Sequence, residues 1–413
     1  PLFAVNAETV RTPASNNKVF TAVWALSMLG PDYRFPTDVL LGGPVQGGAV
    51  RGDVIIKGSG DPAFGYTKFD KDPMTSPRAM ARALKARGIT RVDGGVVADA
   101  TVFDSLAFGP NWPLDTGNGV SAYAPTVSGL AYQRNMLWVA VQNGAYKLEP
   151  EVPEIPVVVR GGGGRGVAVR KPGEDTIYLR GGVGGRAVRR YGIGAADPAL
   201  LGAAALRQAL REEGITVAGP VRRGVTPKGA TLVHRHYSLP LWVIIHVMNH
   251  ESDNFFAEHL WKAAGARALG QGSYERGGVA SSHFYHDRAG VPYGELFQAD
   301  GSGLSADNRT SALAMTRALI YADRQPWRER FHESLPVGGK KDGTLRNLFH
   351  GTYAEGNLHA KTGYIKGVRS LSGFVKTRGG ERVVFSFLYN GPNTSGSRAV
   401  QQNLGNLLAE YTK

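Results

Sequence analysis

Glycine divides this chain into parts that follow different folding rules. Between roughly residues 41 and 225 the apolar stretches are short and glycine-broken, as in Asp53-Val54-Ile55-Ile56-Lys57 and the runs from 155 to 193. Short apolar runs bounded by glycine read as strands. On either side the apolar period lengthens to that of a helix. Val19, Ala22, Val23 and Leu26 mark a helix from Ser15 to about Leu29, ended by Gly30-Pro31. Further helices are expected at 240–249, 255–264 and 310–322. Strands at 370–376 and 381–389, joined at Arg378-Gly379-Gly380, make a hairpin, and a helix at 399–411 closes the chain. Within the middle part, Ser76-Pro77 and Asp197-Pro198 each open a helix. The Gly161–Gly164 run reads as a loop, because no helix follows to turn it into a phosphate cradle. The pattern predicts an α+β domain built from 1–40 and 226–413, interrupted by a β-rich insert over 41–225.

Composition narrows the classes. The chain has 413 residues, enough for two or three domains. Its 56 glycines follow no G-X-Y period, which excludes collagen. No apolar run approaches the roughly 18 residues of a membrane span. The absence of cysteine excludes disulfide scaffolds, thiolate metal sites and cysteine nucleophiles, and fits an exported bacterial protein. The chain opens at Pro1 as a processed or trimmed chain would. Lys and Arg number 48 against 34 acidic residues, a net charge of +14. The basic residues are scattered, and the densest group, Arg186, Arg189 and Arg190, lies in a glycine-rich stretch without interleaved aromatic motifs. That argues against nucleic acid as a partner. Loose contact with an anionic membrane or wall polymer fits the charge better, and added salt would weaken it.

Three short patterns carry the chemistry: Ser15-Asn16-Asn17-Lys18, Ser252-Asp253-Asn254 and Lys361-Thr362-Gly363. Each is weak alone, and Ser15-Asn16-Asn17 also fits the second pattern. Together they are more specific, because S-x-x-K and K-T-G occur once each, in order, and in suitable settings. The first opens a helix, the second sits in a turn between helices and the third enters a strand. A serine hydroxyl is a poor nucleophile until a base takes its proton. Residues three apart share a helix face, which brings Lys18 beside Ser15. Lys18 can serve as that base if burial and a nearby cation such as Lys361 lower its pKa. The helix start offers backbone N–H groups to a developing oxyanion. Ser252 can relay a proton to a leaving amine, and Asn254 can bond a substrate amide. Lys361 and Thr362 suit a terminal carboxylate, and the strand from Lys361 to Ile365 offers an edge to an extended peptide.

With these motifs the sequence resembles the penicillin-binding protein 4 class of D-alanyl-D-alanine carboxypeptidases and endopeptidases. Pro13-Ala14, Gly58-Ser59-Gly60-Asp61-Pro62, Tyr123-Ala124-Pro125, Ala257-Glu258 and Asp300-Gly301-Ser302-Gly303-Leu304-Ser305 extend the likeness over nearly the whole chain. The gap from Ser15 to Ser252 is 237 residues, against 109 from Ser252 to Lys361. The long first gap matches a large insert and argues against a compact class A β-lactamase. The resemblance implies a β-lactamase/transpeptidase-like domain, an antiparallel sheet with helices, and an insert of two small domains. It implies an acyl-enzyme on Ser15 with Lys18 as base, Ser252 as relay, and an oxyanion hole from the N–H groups of Ser15 and Tyr364. It implies that Asp115, in Trp112-Pro113-Leu114-Asp115, holds the free amine of a diaminopimelate side chain. Two positions depart from the family. Tyr364 replaces the Ser or Thr that usually follows K-T-G, and Ala306 stands where an Arg often follows D-G-S-G-L-S, with Arg309 three residues on.

The resemblance implies peptidoglycan stem peptides as substrate and β-lactams as covalent inhibitors, with no cofactor. It places the enzyme in the periplasm or on the outer face of the cytoplasmic membrane. A β-lactamase or esterase-like hydrolase and a catalytically silent wall-binding protein are the alternatives. A metal site is not expected. His283/His286 and His234/His236 have ligand spacing but no third ligand in pattern, and a packed helix explains His246 and His250. Glu251 and Glu258 read as salt-bridge or capping residues, and Trp242, Trp261 and Trp327 as core.

Overall fold

The computed structural model describes residues 2–112, 123–160, 166–170, 174–182 and 184–412. The chain forms two compact units. One takes Pro1–Tyr33, Gly109–Pro113 and Pro240–Lys413, and the other takes Arg34–Phe108 and Leu114–Leu239.

Helix α1, Asn17–Leu29, opens the first unit after a 3-10 turn at Ala14–Asn16. It is buried on all sides from Asn17 to Leu26. A helix apolar all round belongs in the middle of a unit, not on its surface.

The second unit is built on a five-stranded sheet. Its strands are β1 (Pro36–Leu41), β2 (Val54–Lys57), β3 (Val96–Asp99), β4 (Val221–Arg223) and β5 (Thr231–Tyr237), in the order β4-β3-β2-β1-β5. β1 runs antiparallel to β2 and β5, whereas β2, β3 and β4 run parallel. The β1–β5 pairing draws residues 34–40 and 226–239 into this unit, so its ends lie outside the interval that composition suggests. Helices α2 (Thr75–Lys85) and α3 (Ala199–Glu212) belong to it too. Ser76-Pro77 falls inside the first turn of α2, not at its cap. Asp197 Oδ1 accepts from Ala199 N at 3.2 Å, the local turn expected ahead of α3. Two further three-stranded sheets form between residues 136 and 194. One buried apolar cluster runs from Val39 to Val221 through the described residues of these parts.

Back in the first unit come α4 (Leu241–Glu251), α5 (Asn254–Leu269), α6 (Tyr274–Ala289), α7 (Ala312–Asp323) and the short α8 (Arg328–Glu333). Strands β6 (Leu358–Ile365), β7 (Val368–Lys376) and β8 (Arg382–Asn390) follow as an antiparallel sheet, and α9 (Thr394–Glu410) ends the chain. The helix α6 has no counterpart in the sequence reading. Its polar, glycine-containing sequence hides the period, yet Ser273 caps it by accepting from Arg276 N at 3.1 Å.

Like α1, α5 is buried around its circumference from Asn254 to Gly265. The two pack together, with Trp24 and Trp261 edge-on at 5.9 Å. Trp261 is core as expected, but Trp242 and Trp327 are only half-buried, and the Arg330 guanidinium lies 4.4 Å from the Trp242 ring centre.

Candidate active site

The starts of the two central helices and the strand β6 meet at one place. Ala14, in the turn before Ser15, has φ of 50°, a left-handed conformation that costs a non-glycine residue of order 1 kcal/mol. Neighbours hold it there. Ser370 Oγ donates to Pro13 O at 2.6 Å, Asn16 Nδ2 to Lys361 O at 2.8 Å and Asn17 Nδ2 to Asp300 O at 2.7 Å. Two glycines let other backbone press against the turn. A Cβ on Gly363 would lie 2.7 Å from Pro13 O, and one on Gly303, at φ 85°, would lie 1.8 Å from Ala14 O. Gly303→Ala should therefore cost about 2–4 kcal/mol, from overpacking and the wrong backbone region combined. Denaturant midpoints of wild type and variant check this, and equal stability would show that the turn yields freely.

Lys18, on the first turn of α1, is completely buried. Its Nζ stands 3.1 Å from Ser15 Oγ and donates to Asn254 Oδ1 at 2.7 Å and Ser302 O at 2.8 Å. Burial pulls its pKa down to about 8, against the opposing pull of Glu258, Asp300 and Asp253. Asn254 is the first residue of α5, whose N-cap Asp253 accepts from Phe256 N at 3.1 Å. Ser252 ends α4 in the left-handed conformation, φ 55° and ψ 40°, so that chain direction changes within one residue. Its Oγ accepts from Lys361 Nζ at 2.8 Å. Lys361 is also completely buried and donates to Thr362 O at 2.9 Å. Burial, and then the charge of Lys18, hold its pKa well below the ordinary lysine value. Thr362 Oγ1 donates to Thr344 Oγ1 at 2.8 Å.

The five residues from the three motifs thus lie together, with Thr362 and Gly363 beside them on β6. Tyr364 is largely exposed, its ring under the Arg369 guanidinium at 4.7 Å. Asp115 lies outside the described residues, as does the Gly161–Gly164 run. Arg309 donates to Asn308 O at 2.9 Å and Thr12 Oγ1 at 3.4 Å, so it is engaged with its own neighbourhood.

The sequence reading missed the support behind Lys18. Glu258 is neither a cap nor a salt-bridge residue among these contacts. It is buried on α5 and accepts from Gly301 N at 3.1 Å and Ser302 N at 2.7 Å. Burial and Asp300 push its pKa up to about 8. Asp300 accepts from Gly303 N at 2.7 Å, Ser305 N at 2.6 Å, Asn308 Nδ2 at 2.9 Å and Trp112 Nε1 at 2.8 Å. This network folds the D-G-S-G-L-S loop so that the Ser302 carbonyl faces Lys18. The signal was present in the six-residue motif, but the partners lie far off in sequence.

An alcohol held against a buried, deprotonatable amine, on an α+β scaffold, is the arrangement of a serine-type peptidase. Comparison with known proteins agrees. The D-Ala-D-Ala carboxypeptidase 3 (S13) family matches residues 1–411, and the chain belongs to that family. It is 34% identical over 424 residues to a D-alanyl-D-alanine carboxypeptidase of Actinomadura sp. (strain R39), covering 97% of this chain and 77% of that protein. It is 28% identical over 410 residues to D-alanyl-D-alanine carboxypeptidase DacB of Haemophilus influenzae, covering 94% and 82%. The crystal structure of penicillin binding protein 4 (dacB) from Haemophilus influenzae superposes with a TM-score of 0.80 at 25% identity, over 99% of this chain and 94% of that one. The chain is a D-Ala-D-Ala carboxypeptidase of the penicillin-binding protein 4 type, as the motif order implied. No helix among the described residues is long and apolar enough to cross a membrane.

Proposed function

We propose that Ser15 attacks the carbonyl of the penultimate D-alanine of a peptidoglycan stem peptide and forms an acyl-enzyme. The observation that carries this reading is the 3.1 Å approach of Lys18 Nζ to Ser15 Oγ in a site that burial makes unfavourable for charge. Lys18 takes the serine proton as the Oγ–C bond forms. The oxyanion is received by the N–H groups of Ser15 and Tyr364. Ser252, bonded to Lys361, relays the proton taken up by Lys18 to the leaving nitrogen as the C–N bond breaks and D-alanine departs, which leaves Lys18 neutral again. Water then hydrolyses the ester. Lys361 and Thr362 face the substrate carboxylate, and Thr344 brings a further hydroxyl within 2.8 Å of Thr362 Oγ1.

The same site would accept β-lactams, whose strained amide and carboxylate copy the D-Ala-D-Ala terminus. Cleavage of D-Ala-diaminopimelate cross-links is the second activity in this reading, with Asp115 as the residue that binds the side-chain amine. The substrate puts the enzyme outside the cytoplasmic membrane. The two compact units follow the same reading, a catalytic domain carrying an inserted domain.

Intact-protein mass spectrometry with benzylpenicillin, beside Ser15→Ala, tests the proposal. Expected is one penicillin per chain in the wild type and none in the variant. Rapid penicillin hydrolysis without an adduct would instead indicate a β-lactamase-like hydrolase. Neither adduct nor hydrolysis would overturn the acyl-enzyme reading and favour a silent wall-binding protein.

A further inference from the structure

His246 and His250 lie one helical turn apart on α4 and present their rings on one face, stacked at 3.9 Å. Asp342, from the segment between α8 and β6, meets them there. Its Oδ2 is 3.2 Å from His250 Nδ1 and 3.9 Å from His246 Nε2. We propose that these three side chains form a site for a divalent transition ion of the zinc class.

Four observations support it. First, the three donor atoms lie within 4.8 Å of one another. Tetrahedral ligands at about 2.0–2.2 Å from zinc stand roughly 3.4 Å apart, so the donors are near that spacing, and the stacked rings must turn to point both lone pairs at one ion. Second, His250 is 8% exposed and its Nδ1 has Asp342 Oδ2 at 3.2 Å, so a buried ring nitrogen and a carboxylate oxygen already share one place. Third, His246 Nδ1 lies 3.2 Å from the Glu333 carbonyl. Donation from Nδ1 leaves the Nε2 lone pair available, 3.9 Å from Asp342 Oδ2, the outer-shell arrangement that metal-binding histidines use. Fourth, Gly343 makes room: a Cβ there would sit 3.3 Å from His250 Nδ1.

Two neutral imidazoles and one carboxylate suit Zn²⁺, Co²⁺ or Ni²⁺ better than Ca²⁺ or Mg²⁺. Asp342 is exposed, which leaves the fourth position to water. The ion would tie α4, which ends at Ser252, to the segment that carries Thr344. The serine chemistry proposed above does not require it.

The test uses tag-free protein, stripped with a chelator and dialysed. Titration calorimetry with Zn²⁺ should show one equivalent bound, and Co²⁺ should give the visible absorption of a tetrahedral nitrogen–oxygen site. Asp342→Asn and His246→Ala should each weaken Zn²⁺ binding at least tenfold. The wild-type Tm should rise with Zn²⁺ and the Asp342→Asn Tm should not. Both variants change half-buried or exposed side chains outside the catalytic cluster, so their metal-free benzylpenicillin acylation should match wild type and report an intact fold. No stoichiometric binding, or binding that both variants retain, would overturn the proposal.

Discussion

Replacing Lys18 with methionine should slow acylation by benzylpenicillin about 10²–10⁴-fold, the range expected when a general base is removed. Methionine keeps the length of the side chain but cannot take a proton. The Ser15 hydroxyl would remain in place, held by a turn whose contacts come from Asn16, Asn17 and Ser370. The substitution also removes the cation next to Glu258 and Asp300. Glu258, already pushed up to about 8, can answer by staying protonated. The variant should therefore fold, which near-ultraviolet circular dichroism checks. Stopped-flow or mass-spectrometric acylation rates give the magnitude. Undiminished acylation in a folded Lys18→Met enzyme would move the base to the Ser252–Lys361 pair.

The pH profile should carry the same signature. A base acts only when it is deprotonated. Lys18 has its pKa lowered to about 8, so below that pH its neutral fraction falls. The acylation rate constant should drop about tenfold per unit as pH is lowered from 7 to 5, and it should level off above about 8. An ordinary exposed lysine would leave the rate still climbing near pH 10. Burial produces the difference, since the charged form loses its hydration. Rates of adduct formation from pH 5 to 10 measure it, with Tm followed across the range so that unfolding is not mistaken for titration. A flat profile would show that no group titrating near 8 controls the attack.

Much of this was legible in the chain itself. Helix periodicity located α1, α4, α5 and α7 to within a few residues, because each presents a long apolar pattern. The closing hairpin was legible from its glycine pair and alternating flanks. Residue type and order named Ser15, Lys18, Ser252, Asn254 and Lys361. The reading failed where local pattern is silent. The polar helix α6 carries no clear period. The second compact unit reaches beyond 41–225 because β1 and β5 look alike to composition whichever unit they serve, and only their pairing assigns them.

The sequence by itself determined which chemistry is available: two serines, two lysines and an asparagine in a recognisable order, with no thiol to compete. Tertiary structure decided whether they can act together. Lys18 and Asn254 are 236 residues apart in the chain and 2.7 Å apart in space. Burial, which no motif records, lowers both lysines. The same holds for Asp342, which only the fold brings to His246 and His250. Spacing along a helix specifies neighbours three or four residues away, because the helix repeats at that interval. Neighbours from distant segments, and the dielectric around them, depend on how apolar faces pack. That is a property of the whole folded unit.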